Sequence, residues 1–268
     1  MAYKPGFFKE ILKTVDESGG LVHGCIAWMG AYPITDTGTG YSYTIKLGEE
    51  WKGTWNNYKL AEDWWYIPAQ GHCSVAVRKD QFFKFGGYPK IHRTYGGGEF
   101  YLDMKWWMFG STVAINPKAI GFHLASGRGY TYNHDDYIEN VLGVTYALSC
   151  DDWRERTYLN YLRNGRKEVL DKIMARGEKE YAKDREFVDK HKLKSFNDLL
   201  VERPWDKKNM ERHGKANGCM TIFQDTWLDL KDKSEQCKEA YDNSKYQQGL
   251  ATFINENLRE FVYKARPL

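Results

Sequence analysis

Two carboxylates follow a run of glycines in the first half of the chain and have the chemistry of a general base. Gly96-Gly97-Gly98 directly precedes Glu99, and Asp103 follows one helical turn later. Glycines let a substrate approach the backbone closely, and a carboxylate at a helix start can accept a proton from a hydroxyl group. We therefore predict Glu99 as the catalytic residue, with Asp103 as the second carboxylate. The alternative is that both are N-terminal helix acids favoured by the helix dipole.

A glycine-flanked arginine lies further along the chain, in Ser126-Gly127-Arg128-Gly129-Tyr130. A guanidinium on a flexible segment can reach a phosphate, bind it with two hydrogen bonds and release it again. Arg128 is therefore predicted to contact a phosphorylated substrate. An ordinary surface loop is the alternative.

The hydrophobic pattern predicts helices and strands that alternate around these residues. Apolar residues from Phe7 to Val15 recur at helical spacing before Gly19-Gly20, and the apolar run from 21 to 29 predicts a buried strand. The segment from 100 to 109 favours a helix closed by Gly110. Strands are predicted over 112–115, stopped by Asn116-Pro117, and over 119–124.

Composition changes near residue 150. Residues 1–150 contain 20 of the 25 glycines and 7 of the 10 tryptophans, with 14 Lys+Arg against 14 Asp+Glu. Residues 151–268 contain 25 Lys+Arg against 22 Asp+Glu and mostly lack strand-like runs. We predict an α/β region over 1–149 and a helical accessory region over 150–268.

Charge, hydropathy and cysteine content limit the classes of protein to which this chain can belong. Balanced charge in both regions gives no strong attraction to nucleic acid. We expect no membrane span and no secretion signal, because no stretch reaches 18 apolar residues and the first residues lack an apolar run. Five separated cysteines predict buried thiols. We expect a cytoplasmic protein. A viral protein that acts in the host cytoplasm is one case of this expectation.

The order of motifs between residues 71 and 132 resembles one enzyme family. A small-residue strand after Gly71-His72 leads through Arg78 and Phe82 to Gly86-Gly87-Tyr88, and the Gly-Gly-Glu helix start, an apolar strand and a histidine follow. This order is similar to the second half of the A-type glycosyltransferase fold, particularly in family-2 glycosyltransferases and polypeptide N-acetylgalactosaminyltransferases. The resemblance covers about residues 4–132 and implies the acceptor-side half of that fold, with a mixed sheet.

The resemblance implies transfer of a sugar from a nucleotide-sugar donor, expected to be UDP-linked, to an acceptor hydroxyl. His123 matches the family's C-terminal metal ligand, which implies Mn2+ or Mg2+ to neutralise the leaving diphosphate. Gly98, Arg128 and Tyr130 are expected on the donor side. In a retaining enzyme Glu99 would bind a sugar instead of acting as the base.

Four further residues lie where the family forms its acceptor cleft. They are Trp64, Trp65, His72 and Trp107. Indole faces stack on sugars, so we predict that these residues bind the acceptor, which is a saccharide, a protein or a modified DNA base. Packing in an aromatic core is the alternative for the tryptophans.

The matched region begins after the position of the family's Asp-x-Asp metal motif. Either a second polypeptide carrying that motif supplies the donor subsite, or the chain is one piece of a split enzyme. A non-catalytic binding or assembly subunit and a viral-type DNA-base glycosyltransferase are the rival functions. Motifs of dinucleotide-binding proteins, P-loop enzymes, zinc proteases and α/β-hydrolases are absent from the sequence.

Overall fold

The chain is described here by a computed structural model. It describes residues 2–28, 41–44, 54–57, 63–72, 74–93, 95–123, 132–162 and 167–214. The strands are β1 (Ala2–Tyr3), β2 (Leu21–Trp28), β3 (Tyr41–Thr44), β4 (Thr54–Asn57), β5 (Trp65–Tyr66), β6 (Val75–Ala76) and β7 (Val113–His123). The helices are α1 (Phe7–Ser18), α2 (Lys79–Lys84), α3 (Gly98–Met108), α4 (His134–Ala147), α5 (Asp151–Leu162), α6 (Lys167–Glu180), α7 (Ala182–His191), α8 (Phe196–Glu202) and α9 (Pro204–His213).

A mixed sheet is built around two long parallel strands, β2 and β7. β6 pairs antiparallel with β2, on the edge away from β7. The other edge of β7 is shared, because β5 pairs with its first half and β1 with its last residues, both antiparallel. β3 and β4 form a separate two-stranded sheet. The α/β fold with a mixed sheet that the sequence predicts is confirmed.

The prediction that Asn116-Pro117 stops a strand is wrong, because β7 continues through this dipeptide. Asn116 pairs with Gly24, but Ile120 pairs with Cys25, so residues 117–119 form a bulge against β2. Proline has no N–H to donate to a sheet and is tolerated at such a bulge. The Asn116 side chain stabilises it by accepting from the Lys118 N–H and donating to Thr14 Oγ1 of α1.

The predicted helices at 7–15 and 100–109 are confirmed as α1 and α3. α1 buries Phe7, Ile11 and Val15 on one face and ends at Gly19, whose φ of 69° is the left-handed conformation that favours glycine. Almost every residue of α3 is buried, so it has no polar face. This explains why its sequence mixes helical and alternating spacing.

One hydrophobic core joins the sheet to the helices that follow it. It contains Leu21 and Val113 from the central strands, most of α3, and Trp153, Tyr181 and Trp205 from the helical region. The predominance of helix after residue 150 is confirmed as far as residue 214, while the division into regions 1–149 and 150–268 stays a prediction. No helix among the described residues has both the length and the apolar character needed to cross a membrane.

Two helical glycines face each other where α4 packs on α6, and they provide a matched test of this packing. A Cβ on Gly143 would lie 2.2 Å from a ring carbon of the buried Tyr181, whereas a Cβ on Gly177 would meet only the Gly143 Cα, at 3.9 Å. We predict that Gly143→Ala lowers the free energy of unfolding by about 1–3 kcal/mol through overpacking. Gly177→Ala should raise it by about 0.5–1 kcal/mol through helix propensity.

Urea unfolding of both variants beside the wild type measures the two effects. Equal shifts for the two variants would show that α4 and α6 do not pack as described here.

Candidate active site around the start of α3

A glycine turn positions Glu99 at the start of α3. Gly96 and Gly97 have φ values of 102° and 76°, which residues with a side chain rarely adopt, and α3 begins at the next residue. Asn140 of α4 holds this turn in place: its amide donates to the Tyr95 carbonyl (2.8 Å) and accepts from the Arg93 N–H (2.8 Å). Glu99 is partly exposed in the first turn of the helix.

Asp103 lies one turn further along α3 and is fully buried. Its Oδ1 is 3.0 Å from His23 Nε2 and 3.2 Å from His72 Nε2, and its Oδ2 accepts the Gln70 N–H at 2.8 Å. His23 belongs to β2, while Gln70 and His72 belong to the segment between β5 and β6. One carboxylate therefore joins three parts of the fold.

The charges of this group follow from burial and from one another. Burial alone would raise the pKa of Asp103, but His23 and His72 outweigh it and hold the pKa of Asp103 below its ordinary value. Burial lowers the pKa of His23 despite the opposing charge of Asp103. The Asp103 carboxylate is therefore ionised, and His23 beside it is neutral. The His23 Nδ1 is buried without a hydrogen-bond partner among the described residues.

His72 connects this buried group to the surface through Tyr88. Because the Nε2 of His72 faces the carboxylate and carries the proton, its Nδ1 accepts the hydrogen bond from the Tyr88 hydroxyl at 2.5 Å. Burial, together with the charges of Asp103 and Glu99, raises the pKa of Tyr88, so the hydroxyl keeps its proton. Tyr88 is 39% exposed, whereas the His72 side chain is 8% exposed.

Lys105 holds the turn that carries Tyr88. Its buried Nζ donates to the Gly87 carbonyl and to the Tyr101 hydroxyl, the latter at 3.3 Å. Burial lowers the pKa of Lys105 to about 7, although the charge of Asp184 opposes the shift. With a pKa of about 7, the amine is about half protonated at neutral pH and is a hydrogen-bond donor in both states.

The structure brings together four of the predicted site residues, namely Gly98, Glu99, Asp103 and His72. A Cβ on Gly98 would lie 3.0 Å from His92 Nε2 and 3.4 Å from the Tyr88 ring, so glycine keeps this corner open. Arg128 and Tyr130 lie outside the described residues.

The three predicted acceptor-binding tryptophans are buried elsewhere. Trp107 donates to the Ile67 carbonyl at 3.0 Å, Trp65 stacks on His213 with ring centroids 4.0 Å apart, and Trp64 donates to Glu17 at 2.7 Å. They pack in the interior, as the alternative prediction for them states. Their role in acceptor binding stays a prediction.

His123, the predicted metal ligand, is the last residue of β7 and pairs with Trp28. His23 pairs with Ile115, five positions earlier along β2 and, because of the bulge, eight positions earlier along β7. At about 3.3 Å per residue, the main chains of His23 and His123 lie about 17 Å apart along the sheet. His123 therefore does not belong to the group around Asp103.

Sequence reasoning missed His23, Gln70 and Tyr88. His23 did leave a signal, because it is a single polar residue inside the apolar run Leu21-Val22-His23-Gly24-Cys25, and a buried polar group needs a partner. Among the described residues, His23, His72 and Asp103 are also the group whose donor atoms could hold a metal ion, since all three lie within 4.8 Å of one another.

Comparison with known proteins supports the fold. No protein-family model matches the chain, and no curated protein sequence matches it. The crystal structure of GalNAc-T7 with UDP, GalNAc and Mn2+ aligns with 77% of the chain at a TM-score of 0.55 and 17% sequence identity. The chain spans 39% of the length of that protein. The likeness shows a shared fold, in agreement with the partial A-type glycosyltransferase fold that the motif order predicts.

Lys105 gives the site a testable dependence on pH. The pKa of Lys105 is about 7 in the folded protein, against about 10.4 in an unfolded chain. Between these values the unfolded state binds more protons, so Lys105 makes the free energy of unfolding rise with pH, by up to about 1.4 kcal/mol per pH unit. In Lys105→Met this contribution disappears, and we predict that the variant gains stability relative to the wild type as the pH falls from 9.5 to 6.

Urea unfolding across that range measures the difference, and Lys79→Met, at an exposed position on α2, is the control. The variant also loses the hydrogen bond to Gly87, which changes the free energy of unfolding by a nearly constant amount at every pH. Only the slope of the free energy of unfolding against pH therefore tests the prediction. Parallel curves for Lys105→Met and wild type would contradict it.

Proposed function

We propose that the chain is a glycosyltransferase, or a glycosyltransferase subunit, that transfers a sugar from a nucleotide-sugar donor to an acceptor hydroxyl. The observation that carries the proposal is the placement of Glu99. It is a partly exposed carboxylate that follows a glycine turn at the start of α3, in a fold shared with part of a protein crystallised with UDP and GalNAc.

Glu99 and Asp103 have different roles in this proposal. Glu99 is accessible and acts on the acceptor hydroxyl as a base, or binds a sugar if the mechanism is retaining. Asp103 is fully buried, so it touches no substrate and acts through His72 as a positioning residue. Its two histidine contacts and the Gln70 N–H stabilise its negative charge in the interior.

His72 and Tyr88 form the acceptor side. Tyr88 is 39% exposed and its proton is directed at His72 Nδ1, so we propose that its oxygen accepts a hydrogen bond from a substrate hydroxyl. Lys105 fixes the turn that carries Tyr88, and Asn140 fixes the turn that carries Glu99. Rigid support of this kind keeps reacting groups aligned.

The donor side is proposed from the resemblance. Arg128 and Tyr130 would close over the diphosphate, and a UDP-linked sugar is the donor we propose. From the same resemblance, a second polypeptide that carries an Asp-x-Asp motif is proposed to supply further donor contacts. A binding or assembly subunit is the outcome if neither the chain nor its complex binds a nucleotide sugar.

A divalent metal, Mn2+ or Mg2+, is part of the proposal because the matched structure contains Mn2+. His123 is the last residue of β7, and the three-residue donor group among the described residues lies about 17 Å away along the sheet. One ligand does not make a metal site. The remaining ligands would come from outside the described residues, and we assign no step of the reaction to the ion.

Glu99→Gln tests the catalytic assignment. Glutamine has nearly the same shape as glutamate but cannot accept a proton, so we predict that transfer falls by about 10²–10⁴-fold while unfolding and nucleotide-sugar binding are unchanged. Release of UDP from a panel of UDP-sugars measures the reaction, with the full chain and any polypeptide that co-purifies with it. Glu168→Gln is the matched control, because Glu168 is an exposed acid in the first turn of α6. Equal rates for Glu99→Gln and wild type would overturn the assignment.

His123→Ala tests the metal assignment separately. If His123 is a ligand, the variant should need at least tenfold more Mn2+ for half-maximal UDP release, in line with the about 10–100-fold cost of weakening a metal site. An Mn2+ titration of activity gives this value, and His134→Ala, at an exposed histidine that starts α4, is the control. Superimposable titrations of His123→Ala and wild type would remove His123 from the metal site.

A further inference from the structure

We propose that His23, His72 and Asp103 form a binding site for a divalent transition metal ion of the Zn2+ class, separate from any metal at the end of β7. Nothing in the fold comparison assigns this site. The proposal stands on the geometry and charge of three side chains from β2, the 67–72 segment and α3, and it does not depend on the transferase activity.

The donor atoms of His23, His72 and Asp103 converge on one point. Both imidazoles turn Nε2 toward the same carboxylate oxygen, at 3.0 Å and 3.2 Å, and the three donor atoms lie within 4.8 Å of one another. Ligand bonds to zinc are about 2.0–2.2 Å long, which places neighbouring donors of a tetrahedral site about 3.3–3.6 Å apart. Small side-chain movements are enough to admit an ion between the three atoms.

The negative charge of Asp103 also favours a bound cation. Asp103 is a fully buried carboxylate, and its ion pairs among the described residues are with His23 and His72 and not with any lysine or arginine. His23 and His72 hold this carboxylate with one hydrogen bond each. A divalent cation compensates it directly, and buried charges in proteins are commonly paired or coordinate metals.

Neighbouring groups orient the donor atoms by hydrogen bonds. The Gln70 N–H fixes Asp103 Oδ2 at 2.8 Å, which leaves Oδ1 as the ligand atom. When His72 Nε2 binds the ion it carries no proton, so Nδ1 is protonated and donates to the Tyr88 hydroxyl oxygen, the reverse of the direction without the ion. Hydrogen bonds of this kind orient metal ligands and are a regular part of metal sites.

Ligand chemistry selects the metal. Two imidazole nitrogens and one carboxylate oxygen suit Zn2+, Co2+ and similar ions better than Ca2+ or Mg2+, which prefer oxygen ligands. Three protein ligands leave a coordination position open for water or another small ligand. Of the three side chains, His23 and Asp103 are fully buried and His72 is slightly exposed. The ion would therefore enter from the side of Tyr88 and Glu99.

Metal titration of the purified full chain tests the proposal. After chelator treatment and removal of the chelator, Zn2+ is added, and bound metal is measured by elemental analysis and by calorimetry. We expect one Zn2+ per chain, a visible absorption spectrum of nitrogen- and oxygen-bound Co2+ when Co2+ replaces it, and a rise in Tm of about 5–10 °C at a hundredfold excess over Kd.

Two histidine variants locate the ion. His72→Gln removes a ligand from a partly exposed position, and we expect it to weaken Zn2+ binding by more than about a hundredfold and to abolish the Co2+ spectrum. His92→Gln is the matched control, because His92 lies beside Gly98 in the same corner but outside the donor group, and it should bind like wild type. Asp103→Asn should also lose binding, and circular dichroism shows whether this buried variant folds.

The outcomes separate this site from the proposed function. Zn2+ binding that survives in Glu99→Gln and His123→Ala but is lost in His72→Gln supports the site, whatever the transferase assay shows. Absence of stoichiometric Zn2+ or Co2+ binding by the wild type would overturn it, and so would binding that His72→Gln leaves unchanged. Such a result would leave Asp103, His23 and His72 as a hydrogen-bonded group without an ion.

Discussion

The fold around the candidate site depends on how one buried carboxylate is accommodated. α3 is surrounded by the core, and Asp103 on it is fully buried, so its charge is stable only with donors directed at it. Those donors come from His23, 80 positions earlier in sequence, and from Gln70 and His72, about 30 positions earlier. The register of β2, the path of the 67–72 segment and the rotation of α3 about its axis must all agree for the three contacts to form together. Asp103 therefore couples elements that the chain alone leaves free to shift.

This coupling fixes the exposed groups as well. Glu99 lies one turn before Asp103 on the same helix, so the contacts that set the rotation of α3 also set the direction of Glu99. Asn140 holds the glycine turn from the side of α4, and Lys105 holds the Gly87 carbonyl from within α3 itself. Tyr88 and Glu99 are thus supported by two different buried polar groups, Lys105 on α3 and Asn140 on α4. A catalytic group on a rigid element of this kind loses little freedom when substrate binds.

The sequence predicted most of the local structure here and only part of the site. α1, β2 and α3 were predictable because apolar spacing and flanking glycines report local conformation, and Glu99 was predictable because its glycines precede it directly. The bulge after Asn116 was not, since proline usually ends a strand and the compensating contact is with Thr14, about 100 positions away. His23 was visible as an unexplained polar residue, but its partner is chosen by the pairing of β2 with β7 and the packing of α3, which no local pattern contains. The tryptophans show the same limit: the sequence shows that they are large and apolar, and only packing decides whether they face a ligand or the core.

The helical region also contributes to the sheet that carries the site. Asn209 of α9 accepts from the Tyr66 N–H at 2.9 Å and donates to the Tyr66 carbonyl at 2.8 Å, so one side chain satisfies the outer edge of β5 as a neighbouring strand would. Trp205 packs edge-to-face on Trp107 with centroids 5.8 Å apart, and Trp107 donates to Ile67, which leads into the segment that carries Gln70 and His72. The composition break near residue 150 therefore separates two kinds of sequence and not two kinds of packing. Because α9 holds Tyr66 directly before the 67–72 segment and α3 holds Ile67 and Gln70 within it, a helix from the charged part of the chain helps to place His72 against Asp103.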